Sequence, residues 1–256
     1  MITSSQNPKL KLVRSLLGRP KERRENRAFV VEGVRLVEEA LSAGWPFRFA
    51  LYTGESSGRG QKLVEKLKAA GLDVEEVPPN LLQSLSETET SQGILAVLEL
   101  APIPCPPSPN FILIPDSIRD PGNLGALIRT AAAAGVQAIL LPPETTDAFA
   151  PKVVRAGMGA HFRLPIHSLT WNEIRERTQN LKIYLAEMEG ALSCWDADFK
   201  PPLALIVGGE AEGASEQARK LATEQVCIPM PGRVESLNAA AAGAVLMFEV
   251  VRQRKA

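Results

Sequence analysis

Apolar and polar positions along this chain follow two rhythms. Short unbroken apolar runs predict buried strands: AFVVEG from Ala28, FRFALYT from Phe47, GILAVLEL from Gly93, FILIPD from Phe111, VQAILLP from Val136, LKIYLAEM from Leu181, LALIVGG from Leu203 and VCIPM from Val226. The segments between them carry apolar residues at helical spacing. A first helix is expected from about Pro8 to Leu17 and another from Val34 to Ala43. In QKLVEKLKAAG, Leu63, Val64, Leu67 and Ala70 recur at helical spacing, and Gly71 suits the left-handed residue that ends the helix. Further helices are expected from Asn123 to Gly135, across FAPKVVRAGMGA, from about Ser215 to Thr223, and from near Ser236 through VVRQRKA. Ser236 can cap the last of these, and Arg252, Arg254 and Lys255 oppose the negative end of its dipole. Regular alternation of strand and helix predicts an α/β fold in which helices cover a sheet.

The run APIPCPPSPN interrupts that alternation. Proline removes backbone donors and biases its predecessor away from helix, so this run joins neither a helix nor a sheet interior. It reads as a linker over residues 101–109, between a domain of residues 1–100 and one of residues 110–256. Hydrophobic residues make up 45% and charged residues 23% of the 256, a globular balance. No apolar stretch approaches the roughly 20 residues of a membrane span, and MITSSQNPKLKLVR lacks the apolar core of a secretory signal. Cys105, Cys194 and Cys227 are far apart and form no CxxC pair, so neither a zinc site nor a disulfide framework is expected. His161 and His167 read as structural, and a cytoplasmic protein fits these features.

Net charge is zero, but its distribution is uneven. Lys9, Lys11, Arg14, Arg19, Lys21, Arg23, Arg24, Arg27 and Arg35 crowd the N-terminus, opposed within that stretch only by Glu22, Glu25 and Glu32. Such clustering suits a phosphate backbone, through counterion release, or a solvated basic helix face.

Three polar and glycine-rich segments sit where a strand is expected to end and a helix to begin, the position at which open α/β sheets hold ligands. The first is DPGNLGALIRTAAAAG from Asp120. It pairs a turn with Asn123, and it places Arg129 where the helix dipole gives a cation no support, so an anionic partner is expected. The second, VGGEAEGAS from Val207, offers Gly208 and Gly209 for close backbone approach and Glu210 beside a helix start. The third, IPMPGRVESLNAAAAG from Ile228, could receive an adenine and its ribose between Ile228, Met230 and Leu237, with Ser236 and Asn238 nearby. No G-x-G-x-x-G follows a strand and no P-loop is present, so an adenosyl ligand would need a different kind of pocket.

Together the three segments closely resemble the signature motifs of the SpoU (TrmH-type) RNA ribose 2′-O-methyltransferases. The resemblance extends to NPKLKLVRSL, ERRENRAFVVEG and TSQGILAVLEL, which are similar to that family's RNA-substrate-binding domain, and to FAPKVVRAGMGAHFRLPI. It implies a C-terminal SPOUT domain with a parallel sheet and a deep trefoil knot, behind a smaller N-terminal α/β RNA-binding domain. It implies S-adenosyl-L-methionine as cofactor, no metal, and a homodimer. By similarity Gly208, Gly209, Ile228, Met230 and Leu237 hold the cofactor, and Asn123, Arg129, Glu210, Ser236 and Asn238 form the catalytic and RNA-contacting set. Lys9, Lys11, Arg23, Arg24 and Arg27 become the RNA-binding candidates of the first domain. Arg129 has two open roles: the base that takes the 2′-hydroxyl proton, or a cation for a phosphate and the developing oxyanion. Ribosomal RNA is the leading substrate. Transfer RNA, or a catalytically silent RNA-binding protein of the same fold, are the alternatives. The chain departs from the family at Gly157, where serine is frequent, and in the four alanines after Asn238.

Overall fold

The computed structural model describes residues 1–86, 91–209, 213–232 and 236–255. Its chain forms two compact units, Met1–Ala101 with Phe149–Phe162, and Pro102–Ala148 with Arg163–Ala256.

The first unit begins with α1 (Pro8–Gly18), where the Asn7 side chain accepts from the Lys9 N–H and proline opens the helix. It continues through α2 (Pro20–Asn26), β1 (Ala28–Glu32), α3 (Val34–Ser42), β2 (Phe47–Tyr52), α4 (Gly58–Ala69), β3 (Val74–Glu76), α5 (Pro79–Gln83) and β4 (Ile94–Glu99). The sheet runs β1-β4-β2-β3. β4 is antiparallel to β1 and β2, and β3 is parallel to β2. Leu10, Val13 and Leu16, one face of α1, close over Val30, Leu51, Leu95 and Val97.

The second unit contains β5 (Phe111–Asp116), α6 (Pro121–Ala134) and β6 (Ala138–Leu141). The next helix, α7 (Pro151–Gly157), falls in the first unit, and β7 (Ile166–Ser168) returns to the second. Then follow α8 (Trp171–Thr178), β8 (Lys182–Ala186), β9 (Leu192–Ser193), β10 (Leu203–Gly208), α9 (Glu216–Leu221), β11 (Glu224–Cys227) and α10 (Ala239–Lys255). The sheet is β7-β6-β5-β10-β8-β11-β9, with every pairing parallel. Such a sheet is buried on both faces, and β5 and β10 are apolar nearly throughout for that reason.

Two helix starts differ from the sequence expectation. α6 starts at Pro121, with the Asp120 side chain accepting from the Asn123 N–H at 2.8 Å, so Asn123 lies inside the first turn. α10 starts at Ala239, and its cap is Asn238, whose side-chain oxygen accepts from Ala240 and Ala241 at 2.9 and 3.2 Å. Ser236 precedes the cap. Serine and asparagine are equally good caps, so local preference alone does not separate them.

α7 is held in the first unit by rings. Phe149 lies 4.9 Å from Phe29, and Phe162 lies 5.3 Å from Trp45. His161, 1% exposed, sits against Gly157 so closely that a Cβ there would come within 2.5 Å of its ring. Gly157→Ser should therefore cost about 1–3 kcal/mol through overpacking. A denaturant midpoint equal to wild type would contradict this packing.

His167, half-buried on β7, is held below its ordinary pKa by burial and by the charge of Arg177, outweighing a backbone hydrogen bond to Ile103. Folding thus favours its neutral form. The stability it contributes is complete above the ordinary value of 6.5 and drains as pH falls through the folded value. Between pH 7.5 and 5.5 the melting temperature of His167→Gln should fall less than that of wild type. Parallel curves would remove His167 from the acid response.

Candidate active site

All strands of the second sheet point the same way, so their C-terminal ends share one edge. β5 and β10 are neighbours in register, Asp116 opposite Gly208, and this is where strand order reverses. The first motif leaves the end of β5 and the second the end of β10. The third leaves β11, one strand beyond β8. The topology therefore brings three segments distant in sequence to one edge.

A cavity of about 540 Å³ opens there, lined by the ends of β8 and β10 and by the third motif. That volume falls in the range of small-molecule sites, about 300–1,000 Å³. Gly208, Gly209, Ile228, Met230 and Leu237 all line it, as do Ser236 and Asn238. Its walls are largely apolar, and Leu237 remains 38% exposed.

The two glycines have a reason of their own. A Cβ on Gly209 would lie 2.5 Å from the Ser117 carbonyl oxygen, and one on Gly208 would lie 2.8 Å from the Ala214 nitrogen. The crowding is by protein backbone, which cannot swing aside as a side chain can. Gly209 also pairs with Gly213 in an isolated antiparallel bridge.

Asp116, not singled out in the sequence, holds these turns together. It is 1% exposed, and one carboxylate oxygen accepts from the Ser215 N–H at 2.6 Å while the other accepts from the Ser117 hydroxyl at 3.2 Å. Ser215 in turn caps α9. One buried carboxylate thus ties the first motif's strand to the second motif's helix. In the sequence it reads only as the polar end of FILIPD.

Asn123 and Asn238 meet directly: the Asn238 amide donates to the Asn123 side-chain oxygen at 2.9 Å. This joins α6 to the start of α10. Gly243 permits that approach, since a Cβ there would fall 2.4 Å from Leu127 Cδ2. Arg129 is exposed on α6 and is not part of the cavity lining. Because α6 starts earlier than expected, Arg129 lies in its third turn. It makes no hydrogen bond or ion pair among the described residues. Glu210 lies outside the described residues.

The basic candidates of the first unit divide into two groups. Lys9 donates to Asp73 at 2.6 Å and to Glu75 at 3.2 Å. Those hydrogen bonds raise its pKa against the opposing effect of burial. Arg23 is 3% exposed and donates to the Leu16 carbonyl at 2.5 Å. Lys11, Arg24 and Arg27 are exposed. Arg27, at φ 48°, ends α2 in the left-handed conformation.

Among the described residues no cluster of His, Cys, Asp and Glu could hold a metal ion, and no helix is long and apolar enough to cross a membrane. Cys194 is buried, which pushes its thiol pKa up to about 11 and suits packing rather than nucleophilic attack.

Comparison with known proteins agrees with this geometry. The sequence model of the SpoU rRNA Methylase family matches residues 110–248, and that of the MRM3-like substrate binding domain matches residues 7–96. The 23S rRNA (uridine(2479)-2′-O)-methyltransferase of Streptomyces viridochromogenes is 32% identical over 98% of this chain and 92% of its own. The 23S rRNA (guanosine(2553)-2′-O)-methyltransferase RlmP of Bacillus subtilis is 31% identical over 97% of this chain and 98% of its own. The crystal structure of the AdoMet-bound rRNA methyltransferase from Sinorhizobium meliloti superposes with a TM-score of 0.86 at 32% identity, covering 98% of this chain and 97% of that one. With the signature motifs gathered at one sheet edge and a family match over more than half its length, this chain belongs to the SpoU rRNA methylase family.

Proposed function

We propose that this protein transfers a methyl group from S-adenosylmethionine to a ribose 2′-hydroxyl of ribosomal RNA. The observation that carries this reading is the cavity where the second and third motifs meet, in a chain similar over almost its whole length to 23S rRNA 2′-O-methyltransferases. The donor set suits the cofactor. Apolar walls from Ile228, Met230 and Leu237 fit a flat base, backbone at the motif turns offers hydrogen bonds, and Ser236 and Asn238 add polar groups at one side. When bound, the cofactor supplies a methyl group on a positively charged sulfur.

The chain's own residues do the positioning. Asn238, fixed by Asn123 and by the first turn of α10, presents its amide at the cavity wall. Ser236 contributes a hydroxyl two residues earlier, and Glu210 is kept as a positioning carboxylate. Arg129 stands on an exposed helix face. An arginine keeps its proton in water, so its role here is cationic: it binds the phosphate beside the target ribose and stabilises the oxygen as negative charge develops. Holding acceptor and donor in line supplies much of the acceleration. The 2′-hydroxyl gives its proton to solvent as its oxygen takes the methyl group from sulfur, which keeps the electron pair of the broken bond.

In this reading residues 1–100 bind the RNA and residues 110–256 form the methyltransferase domain, with the family's trefoil knot around the cofactor loops. The protein acts in the cytoplasm as a homodimer. Phe248, 49% exposed on α10, offers apolar surface for that contact. RNA contact falls to Lys11, Arg24 and Arg27, while Lys9 and Arg23 maintain the domain that carries them.

Deleting the first domain is a poor test, because it would strip Phe149 and Phe162 of their partners Phe29 and Trp45. The combined variant K11E/R24E/R27E is the better one. It should weaken RNA binding at least tenfold at moderate salt and flatten the dependence of log K on log[salt] by about 2–3. Unchanged affinity and slope would move the RNA surface elsewhere. The substrate class is tested by incubating the protein with methyl-labelled S-adenosylmethionine and ribosomal or transfer RNA. Label in the ribosomal fraction alone supports this reading, and label in transfer RNA alone overturns the choice of substrate.

A further inference from the structure

Among the described residues that line the cavity, Glu187 and Arg219 alone are charged. They come from different elements. Glu187 follows β8, its N–H donating to the Val226 carbonyl at 3.0 Å, so its backbone is fixed to β11. Arg219 lies on α9, the helix whose cap Ser215 is anchored on Asp116. Its Nε donates to Glu187 Oε1 at 2.9 Å, and Nη2 lies 2.9 Å from the same oxygen. Both guanidinium nitrogens converge on one carboxylate oxygen, and Oε2 has no hydrogen bond among the described residues. The Glu187 side chain is mostly sheltered, at 21% exposure.

An ordinary surface ion pair adds little stability, about 0–1 kcal/mol, and has no reason to face a cavity. The other ion pair of α9, Glu216 with Lys220, involves no cavity-lining residue. The Glu187–Arg219 pair instead puts one carboxylate and one guanidinium side by side on a wall that carries no other charge among the described residues. That is the complement of an amino-acid zwitterion. We propose that Glu187 and Arg219 together read the amino-acid end of the adenosyl cofactor, Glu187 Oε2 accepting from its ammonium group and Arg219 donating to its carboxylate. This rests on the function proposed above and adds a specificity device to it: the pair selects adenosyl amino acids over plain adenosine thioethers.

The test compares binding, not turnover. The affinities of S-adenosylmethionine and of 5′-methylthioadenosine, which lacks the amino-acid end, are measured by titration calorimetry on wild type, Glu187→Gln, Arg219→Gln and Arg219→Lys. Each glutamine variant should lose about tenfold or more in S-adenosylmethionine affinity, as expected for a hydrogen bond between charged groups. Its affinity for 5′-methylthioadenosine should stay within about twofold of wild type, and Arg219→Lys should recover part of the loss. Equal weakening of both ligands would show that the pair merely shapes the cavity, and would overturn the proposal. Unchanged S-adenosylmethionine affinity in both glutamine variants would overturn it as well. If wild type binds neither nucleoside, the cofactor reading itself fails, a result distinct from either of these.

Discussion

Arg129→Ala should lower kcat about 10²–10³-fold, the usual consequence of removing a group that stabilises developing charge. The affinity for S-adenosylmethionine should change by less than about twofold, because Arg129 is not part of the cavity wall. Arg129→Lys separates the two roles the sequence leaves open. A cation that meets a phosphate is partly replaced by lysine, although the two-pronged geometry is lost. The variant should therefore regain a measurable fraction of the rate, and that fraction should shrink as salt rises. Near-normal turnover in Arg129→Ala, measured by transfer of labelled methyl to RNA, would take Arg129 out of the mechanism. A tenfold loss of cofactor affinity in the same variant would place it in the wrong site.

Gly209→Ala should damage the cavity itself. The added methyl would meet the Ser117 carbonyl oxygen at 2.5 Å, and a backbone carbonyl held at the end of β5 has little room to retreat. Relief requires the second motif to move away from the first, which strains the Gly209–Gly213 bridge and the Asp116–Ser215 hydrogen bond. Overpacking of this kind costs about 1–3 kcal/mol. If that strain is relieved by displacing the loop, cofactor affinity falls about 5–150-fold. Calorimetric titration with S-adenosylmethionine reads the effect directly. Wild-type affinity in Gly209→Ala would show that the turn adapts without disturbing the cavity.

Much of this architecture is legible in the sequence because its strongest strands are apolar nearly throughout. FILIPD and LALIVGG cannot be amphipathic surface helices, and they form the two central strands of the parallel sheet. The short strands are a different matter. Val74–Glu76, Ile166–Ser168 and Leu192–Ser193 carry glutamate, histidine or serine in two or three residues, and they pair at or near sheet edges where no apolar pattern is required. α8 is equally silent: half of Trp171–Thr178 is charged, and its start depends on a Thr170–Glu173 capping box that is too brief to stand out.

The site follows the same division. The three motifs announce themselves through turn residues next to strands, and the order of strands then brings their loops together. What holds the loops in place is not local. Asp116 meets Ser215 across 99 residues, and Asn238 meets Asn123 across 115. Neither partner marks the other in the sequence. Charge clustering misleads in a related way, since it counts cations without saying which are exposed. Lys9 and Arg23 look like their neighbours on paper, yet one is committed to Asp73 and Glu75 and the other to helix carbonyls. Residues 149–162 belong in space with the first unit because of aromatic contacts to Phe29 and Trp45, more than a hundred residues earlier in the chain.

The central claim is that the cavity delivers a methyl group to a ribose oxygen of RNA. Alkaline hydrolysis of the labelled product tests it most directly, because a 2′-O-methyl group removes the hydroxyl that attacks the adjacent phosphate and so protects that bond. Ribosomal RNA incubated with the protein and methyl-labelled S-adenosylmethionine should yield its label in alkali-resistant dinucleotides. Label confined to mononucleotides would mean methylation on a base, and it would contradict the account.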